Sequence, residues 1–338
     1  MIQEQNLKKS IAKRRPATEA SAFCRAIEYR RRADEYINLY LTRFVSSNTL
    51  DEDSYRHAVD DYVASVREFD TDICIKETHY PCSCVFDEKG RGNNPRYLKT
   101  EALLTHGNAI KESFVTVHRT EKNSFDSRKE EASSVFCTAF KYAQKINYGQ
   151  YSQFTLLEQN NLEARAISWH QGKKPRRIVV FHTTLSPRSQ HILKGVYYYA
   201  FKSGIEVWEY CEGRIPRSDI DLSFLKDRIV DCCGIVFLAS EQYIPGRDNI
   251  EFEIKAANIF RDADDPVKIF PLDLGASKKV MNSISSNEVK ARMINDFEKE
   301  FPGFLESLSD IYDCRKKRLE NDGLWDRLEQ VGLNRNKF

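Results

Sequence analysis

No run of apolar residues in this 338-residue chain approaches the roughly 18–20 needed to cross a bilayer, so a membrane-spanning role is not expected. The first sixteen residues lack the apolar stretch of a secretory signal and are instead polar and basic. Excess charge of either sign is missing as well. With 52 Lys and Arg against 50 Asp and Glu the net charge is +2, and no global field draws the chain toward nucleic acid or a membrane surface. Cysteines in regular pairs are also lacking: the nine present are an odd number, scattered, and several stand in apolar stretches, as Cys232 and Cys233 beside Ile235 and Cys137 beside Phe136. That usage fits small buried hydrophobes in a reduced compartment, and the expected location is cytoplasmic.

One cysteine cluster invites a metal reading. Cys74, His79, Cys82 and Cys84 lie close in sequence. Structural zinc favours two separated pairs with two to four residues between ligands. A Cys-x-Cys in residues 81–86, whose members alternate faces of an expected strand, fits that pattern poorly, and no metal is expected.

What is present suffices for real cores: 41% hydrophobic residues, 12% aromatic, and 30% charged for a soluble surface. The length favours two domains. Residues 1–18 carry Lys8, Lys9, Lys13, Arg14 and Arg15 with almost no apolar content, and read either as a solvated, flexible basic arm or as an arm that touches nucleic acid. Residues 19–68 show two helical stripes, Phe23, Ile27, Tyr36, Ile37, Tyr40 and Phe44, then Tyr55, Val59, Tyr62, Val63 and Val66, with Asp51 as N-cap of the second. Shorter pieces follow. Strands are expected at 82–87 and 114–118, a helix at 130–146, and further strands at 151–157 and 164–169. The turn-rich loop 89–95 contains a Gly-x-Gly, but it does not join a strand to a helix and is a weak phosphate cradle.

This order makes residues 19–170 an α+β module with the outline of a sensor. Asn123–Phe125 and Ser133–Phe140 resemble segments of GAF-type small-molecule sensor domains. The polar stretch 171–177 is the expected domain boundary.

From residue 176 strands alternate with helices, the pattern of a parallel sheet with crossover helices. Strands are expected at 178–181, 205–210, 235–239 and 267–272. Ser186 or Ser189 caps a helix running to Lys202, which stops at Ser203 and Gly204. A loop at 212–221 leads to a helix bearing Phe224, Leu225, Ile229 and Val230. Beyond Ser240, the residues Glu253, Ala256, Ala257 and Phe260 recur at helical spacing. After Gly275 the chain turns polar and then helical, with helices expected at 289–297, 304–319 and 325–331. Leu305, Leu308, Ile311 and Tyr312 form an apolar face for packing within the chain or on a second copy.

The ordered set of opening strand and polar loop, helix before the third strand, turn from Ser240 to Tyr243, Glu253-Ile-x-x-Ala257 helix and Val267-x-Ile-Phe-Pro-Leu272 strand resembles the TIR (Toll/interleukin-1-receptor-like) family. The resemblance covers residues 176–276. It implies an α/β, flavodoxin-like parallel-sheet domain preceded by the α+β domain, with residues 277–338 as a helical extension. Enzymatic members cleave the nicotinamide–ribose bond of NAD with a glutamate on the helix after the third strand, and the matching position is Glu253. A desolvated carboxylate there stabilises the oxocarbenium-like ribose that forms as the bond breaks. Glu251 is the rival acid. Residues i and i+2 of a helix point apart, so only one of the two can face the site.

The resemblance also implies the rest of a nucleotide site, with NAD as substrate and no separate cofactor. His182, Thr183, Thr184, Ser186 and Arg188 follow the first strand and can hold ribose or phosphate, or merely cap the helix. Trp208 can stack on a base or simply pack in a half-buried strand. Ser240 ends the third strand. Arg214, with Pro216 and Arg217, lies in the loop through which TIR domains self-associate. One departure stands out: where enzymatic members carry an aromatic four residues before the glutamate, this chain has Asn249.

The function implied is an effector of bacterial anti-phage defence, cleaving NAD after a signal at the N-terminal domain triggers assembly. A TIR scaffold that binds a nucleotide signal without cleaving it, and a nucleoside or deoxyribosyl transferase, are the alternatives.

Overall fold

The computed structural model describes residues 2–13, 22–47, 51–69, 95–117, 120–145, 149–183, 185–211, 231–243, 254–255, 257–259, 267–284, 292–320, 323–324 and 326. The chain divides into two compact units, Met1–Leu162 and Glu163–Phe338.

Among the described residues of the first unit every element is helical: α1 (Ile2–Lys13), α2 (Ala22–Ser47), α3 (Glu52–Phe69), α4 (Pro95–Glu112), a 3₁₀ turn (Ser113–Thr116), α5 (Lys122–Lys145) and the start of α6 (Gly149–Gln171). Three expectations change. Residues 2–13 of the basic arm form a helix that is tied down, because Ile11 is fully buried and Lys8 Nζ lies 2.5 Å from Asp51 Oδ2. The strand expected at 114–118 is instead a 3₁₀ turn. The strands expected at 151–157 and 164–169 are one helix. That stretch is rich in Leu, Ala, Glu, Gln and Arg and poor in β-branched residues, so helix propensity prevails over short apolar runs. The predicted helical pair survives as α2 and α3. Asp51 caps α3 as expected, accepting from the Ser54 hydroxyl at 2.8 Å. The strand 82–87, the cysteine–histidine cluster and residues 89–94 of the glycine loop lie outside the described residues.

The core of the first unit gathers Ile11, Ala33, Tyr36, Tyr40, Tyr55, Ala58, Tyr62 and Ala109. Several polar groups are buried with it. Tyr62 donates to Asp34 at 2.6 Å, Lys111 meets Glu158 at 2.6 Å, and Arg32 meets Asp61 at 3.1 Å.

The second unit is α/β. Strands β1 (Arg176–His182), β2 (Ile205–Cys211), β3 (Gly234–Ser240), β4 (Lys268–Leu274) and the two-residue β5 (Arg292–Met293) form one parallel sheet in the order β2-β1-β3-β4-β5. All four strands foreseen from the sequence are present. Both faces are covered, which is why β3 is buried at every position and reads as a continuous apolar run.

On one face α7 (Pro187–Lys202) and α9 (Phe297–Glu306) meet through Tyr199 against Phe297 and Phe301, while Phe301 and Phe304 pack on Phe270 of β4. The other face is closed by Val280, Met281 and Ile284 of α8 (Lys278–Ile284), together with Ile254, Ala257 and Ile259. A final helix, α10 (Ile311–Glu320), follows.

Two boundaries differ from expectation. The unit begins within α6, ahead of the polar segment 171–177, because Arg165 and Ser168 of that helix bond to Glu206 and to the Gly204 carbonyl. The sheet also continues past residue 276: β5 extends it, and α9 packs on β4 rather than forming a separate extension. Residues 292–296, expected to be helical, are an edge strand and a 3₁₀ turn. The apolar face of Leu305, Leu308 and Ile311 is buried within the chain.

Candidate functional site at the carboxyl edge of the sheet

Between β1 and β3 the chain reverses the direction in which it adds strands, since β2 lies on one side of β1 and β3 on the other. The carboxyl ends of these two central strands deliver His182, Thr183 and Ser240. Thr183 Oγ1 and Ser240 Oγ are 2.9 Å apart, so the two hydroxyls bridge the strands at that point. Both are nearly buried, and Ser240 Oγ also accepts from the Gln242 amide at 3.3 Å. A bridge of this kind contributes about 1 kcal/mol net.

His182 ends β1 with its imidazole inward. Nδ1 stands 2.7 Å from the Thr183 carbonyl oxygen and Nε2 stands 2.8 Å from Glu209 Oε1 on β2. The other oxygen of Glu209 accepts from the hydroxyl of Tyr197 on α7. The side chain of His182 is 1% exposed and that of Glu209 18%. Three elements thus converge on one histidine beside the hydroxyl pair.

The third wall is the end of β4. Asp273 Oδ1 accepts from the amides of Gly275 at 2.8 Å and Ala276 at 3.1 Å, and Gly275 bridges back to Ser240. Gly275 adopts φ +103°, where a side chain is strained, and an added Cβ would meet Glu241 Cγ at 3.2 Å.

Of the residues singled out in the sequence, His182, Thr183 and Ser240 come together. Ser186 is a helix cap: its Oγ accepts from the Ser189 amide at 3.2 Å, with Pro187 opening α7. Arg188 lies in the first turn of that helix. Trp208 is 2% exposed within the core that holds Phe181 and Ile235, a packing position rather than a ligand face. Tyr243 is likewise in that core, edge-on to Phe237, after the turn that Ser240 opens. Ile254, Lys255 and Ala257 are helical, and Ala257 is buried as the sequence spacing implied. Thr184, Arg214, Pro216, Arg217, Asn249, Glu251 and Glu253 lie outside the described residues.

Sequence reasoning missed Glu209 and Tyr197. A signal was available: a parallel strand buried on both faces should read as unbroken apolar, yet β2 contains Glu206 and Glu209. Each carboxylate required a partner. Glu206, at the amino end, has two: Arg165, and Arg177 at 2.6 Å.

Among the described residues no group of three or more His, Cys, Asp or Glu side chains could hold a metal ion, and no helix is long and apolar enough to cross a membrane. No protein-family model matches this chain, and neither a curated protein nor a solved structure does.

Proposed function

We propose that the second unit is a flavodoxin-like, TIR-type nucleotide site that cleaves the nicotinamide–ribose bond of NAD. The observation that carries this reading is the strand reversal between β1 and β3 with the Thr183–Ser240 hydroxyl pair at its carboxyl edge. Open α/β sheets bind ligands outside the carboxyl ends of their strands at such a reversal, and the order 2-1-3-4-5 is the flavodoxin-like one. The N-terminus of α7 adds a positive dipole end beside that edge, which favours a phosphate-bearing ligand.

In this reading Glu253 supplies the acid. Its carboxylate stabilises positive charge on the ribose as nicotinamide leaves with the bonding electrons. Water then attacks the anomeric carbon, giving ADP-ribose, nicotinamide and one proton. Self-association through the loop around Arg214, triggered by a signal at the first unit, completes the proposal, with anti-phage defence as its setting. Asn249 in place of the usual aromatic favours the second reading, a module that binds a nucleotide without cleaving it.

The test is nicotinamide release from NAD by the full chain at high concentration, beside Glu253→Gln and Glu251→Gln. Activity lost only in Glu253→Gln supports the enzyme and its acid together. Loss only in Glu251→Gln moves the acid. An inert wild type that still binds NAD gives the second reading. Cleavage of nucleosides but not of NAD points to glycosyl transfer.

A further inference from the structure

The imidazole of His182 is fixed at both nitrogens, and the chemistry of its partners determines where protons lie. Nδ1 faces a carbonyl oxygen at 2.7 Å, and a carbonyl only accepts, so Nδ1 carries a proton. Nε2 faces Glu209 Oε1 at 2.8 Å, a distance that two acceptors cannot share, so a second proton lies between them. Tyr197 donates to the remaining oxygen of Glu209, lowering the affinity of that carboxylate for a proton of its own. Imidazole is also the stronger base of the pair, with reference pKa values of about 6.5 against about 4.3.

We propose that His182 is a positioning residue, held as an imidazolium by Glu209 and Tyr197, whose Nδ1–H clamps the Thr183 carbonyl and so sets the Thr183–Ser240 hydroxyl pair for a ligand's ribose hydroxyl or phosphate. The proposal rests on the nucleotide reading above for the identity of the ligand, but not for the clamp. His182 touches no reacting atom. It acts through Thr183, whose carbonyl and hydroxyl flank one Cα, so fixing the first orients the second toward Ser240. Glu209 from β2 faces the ring, Tyr197 from α7 bonds to the far oxygen of that carboxylate, and β3 presents Leu238 in register with His182. Glu209 is the counter-ion that keeps the ring charged. A histidine buried to 1% without it would be neutral.

The full chain labelled with ¹⁵N-histidine and ¹³C-threonine tests this. Its seven histidines are few enough for His182 to be assigned by its disappearance in His182→Gln. In wild type the His182 ring is expected to show two N–H groups from pH 6 to pH 8. In Glu209→Gln only the Nδ1–H remains and the Thr183 carbonyl and Cβ signals move. Tyr197→Phe, which keeps both charged partners, shifts the same signals less, and it decides the matter if Glu209→Gln fails to fold. A neutral ring in wild type, or Thr183 signals indifferent to both variants, overturns the clamp.

Titration with NAD forms the second arm. Glu209→Gln is expected to weaken NAD binding by about tenfold, the scale of one misplaced hydrogen bond. Undiminished NAD binding with the clamp lost overturns the positioning role. If wild type binds no NAD, the nucleotide reading falls, while the ring and Thr183 signals still decide the clamp.

Discussion

Each end of β2 carries one glutamate, and the fold treats the two in opposite ways. At the amino end Glu206 is 0% exposed and meets two guanidiniums, those of Arg165 from α6 and Arg177 from β1. At the carboxyl end Glu209 keeps 18% of its side chain exposed and meets a histidine and a tyrosine. Arginine stays charged at any pH a protein survives, so the Glu206 site has one protonation state and serves as a fastener between helix and sheet. Histidine and tyrosine have protons to give, so the Glu209 site has more than one state available. The fastener lies away from the strand reversal and the titratable cluster lies at it. In open α/β sheets the carboxyl edge is where a ligand is met.

Neutralising each carboxylate in turn separates the two sites most clearly. Glu206→Gln leaves two buried guanidiniums without their shared counter-ion, and a broken buried pair costs about 3–5 kcal/mol. All three tryptophans of the chain lie beyond residue 162, so fluorescence-monitored urea unfolding follows the second unit alone. The midpoint is expected to fall steeply for Glu206→Gln and much less for Glu209→Gln. Equal losses would erase the distinction between the fastener and the site at the carboxyl edge.

A third treatment of a buried titratable group appears in the first unit. His106 is 5% exposed, stacks on Tyr62 at 5.6 Å, and its Nε2 has no hydrogen-bond partner among the described residues. Burial alone pushes its pKa down to about 4. The unfolded chain takes up a proton near pH 6.5 that the folded unit refuses until about pH 4. Its contribution is therefore complete above pH 6.5 and is lost as pH falls through that window, by about 3 kcal/mol in all. Asp34, raised by burial, works in the opposite sense: its contribution is complete at low pH and fades as pH rises. A His106→Phe variant separates the two. Amide protection in α4 should fall more in wild type than in the variant as pH drops from 6.5 to 4, relative to their difference at pH 7.5. Parallel pH dependence in both proteins would place the effect elsewhere.

How much of this was legible in the sequence depended on which force decided each element. The four long strands were readable because both faces of the sheet are covered, which turns burial into runs such as Gly234–Ser240. The helices α2 and α3 were readable because one face of each is wet, leaving a 3.6-residue stripe. The helix α6 was misread because it carries buried residues on several sides, Thr155, Leu162, Arg165 and Ser168 among them, so no stripe survives to give the period. At the site, His182, Thr183 and Ser240 could be found from their places at strand ends. Glu209 and Tyr197 could not be paired with His182 in advance, since that needs the register of β1 on β2 and the pitch of α7 on the sheet. Those quantities depend on residues far apart in sequence.

The backbone beside the hydroxyl pair ties the end of β3 to the turn that follows β4. Gly275 sits at φ +103° and bridges to Ser240, while Asp273 satisfies its amide. An alanine there is strained by its own backbone and presses on Glu241 Cγ at 3.2 Å, a contact that a flexible side chain can partly relieve. A cost of about 1–2 kcal/mol follows, below that of Glu206→Gln. Its consequence should nonetheless reach further into function. Any shift of the bridge is passed to Ser240, and from there to the 2.9 Å contact with Thr183. Gly275→Ala is thus expected to lower the unfolding midpoint modestly and to move the Thr183 carbon signals, whereas Glu206→Gln, measured below its own midpoint, lowers stability and leaves those signals in place. If Gly275→Ala left Thr183 undisturbed, the two hydroxyls would be held by β1 and β3 alone, and the β4 turn would be a stabilising feature with no part in the site.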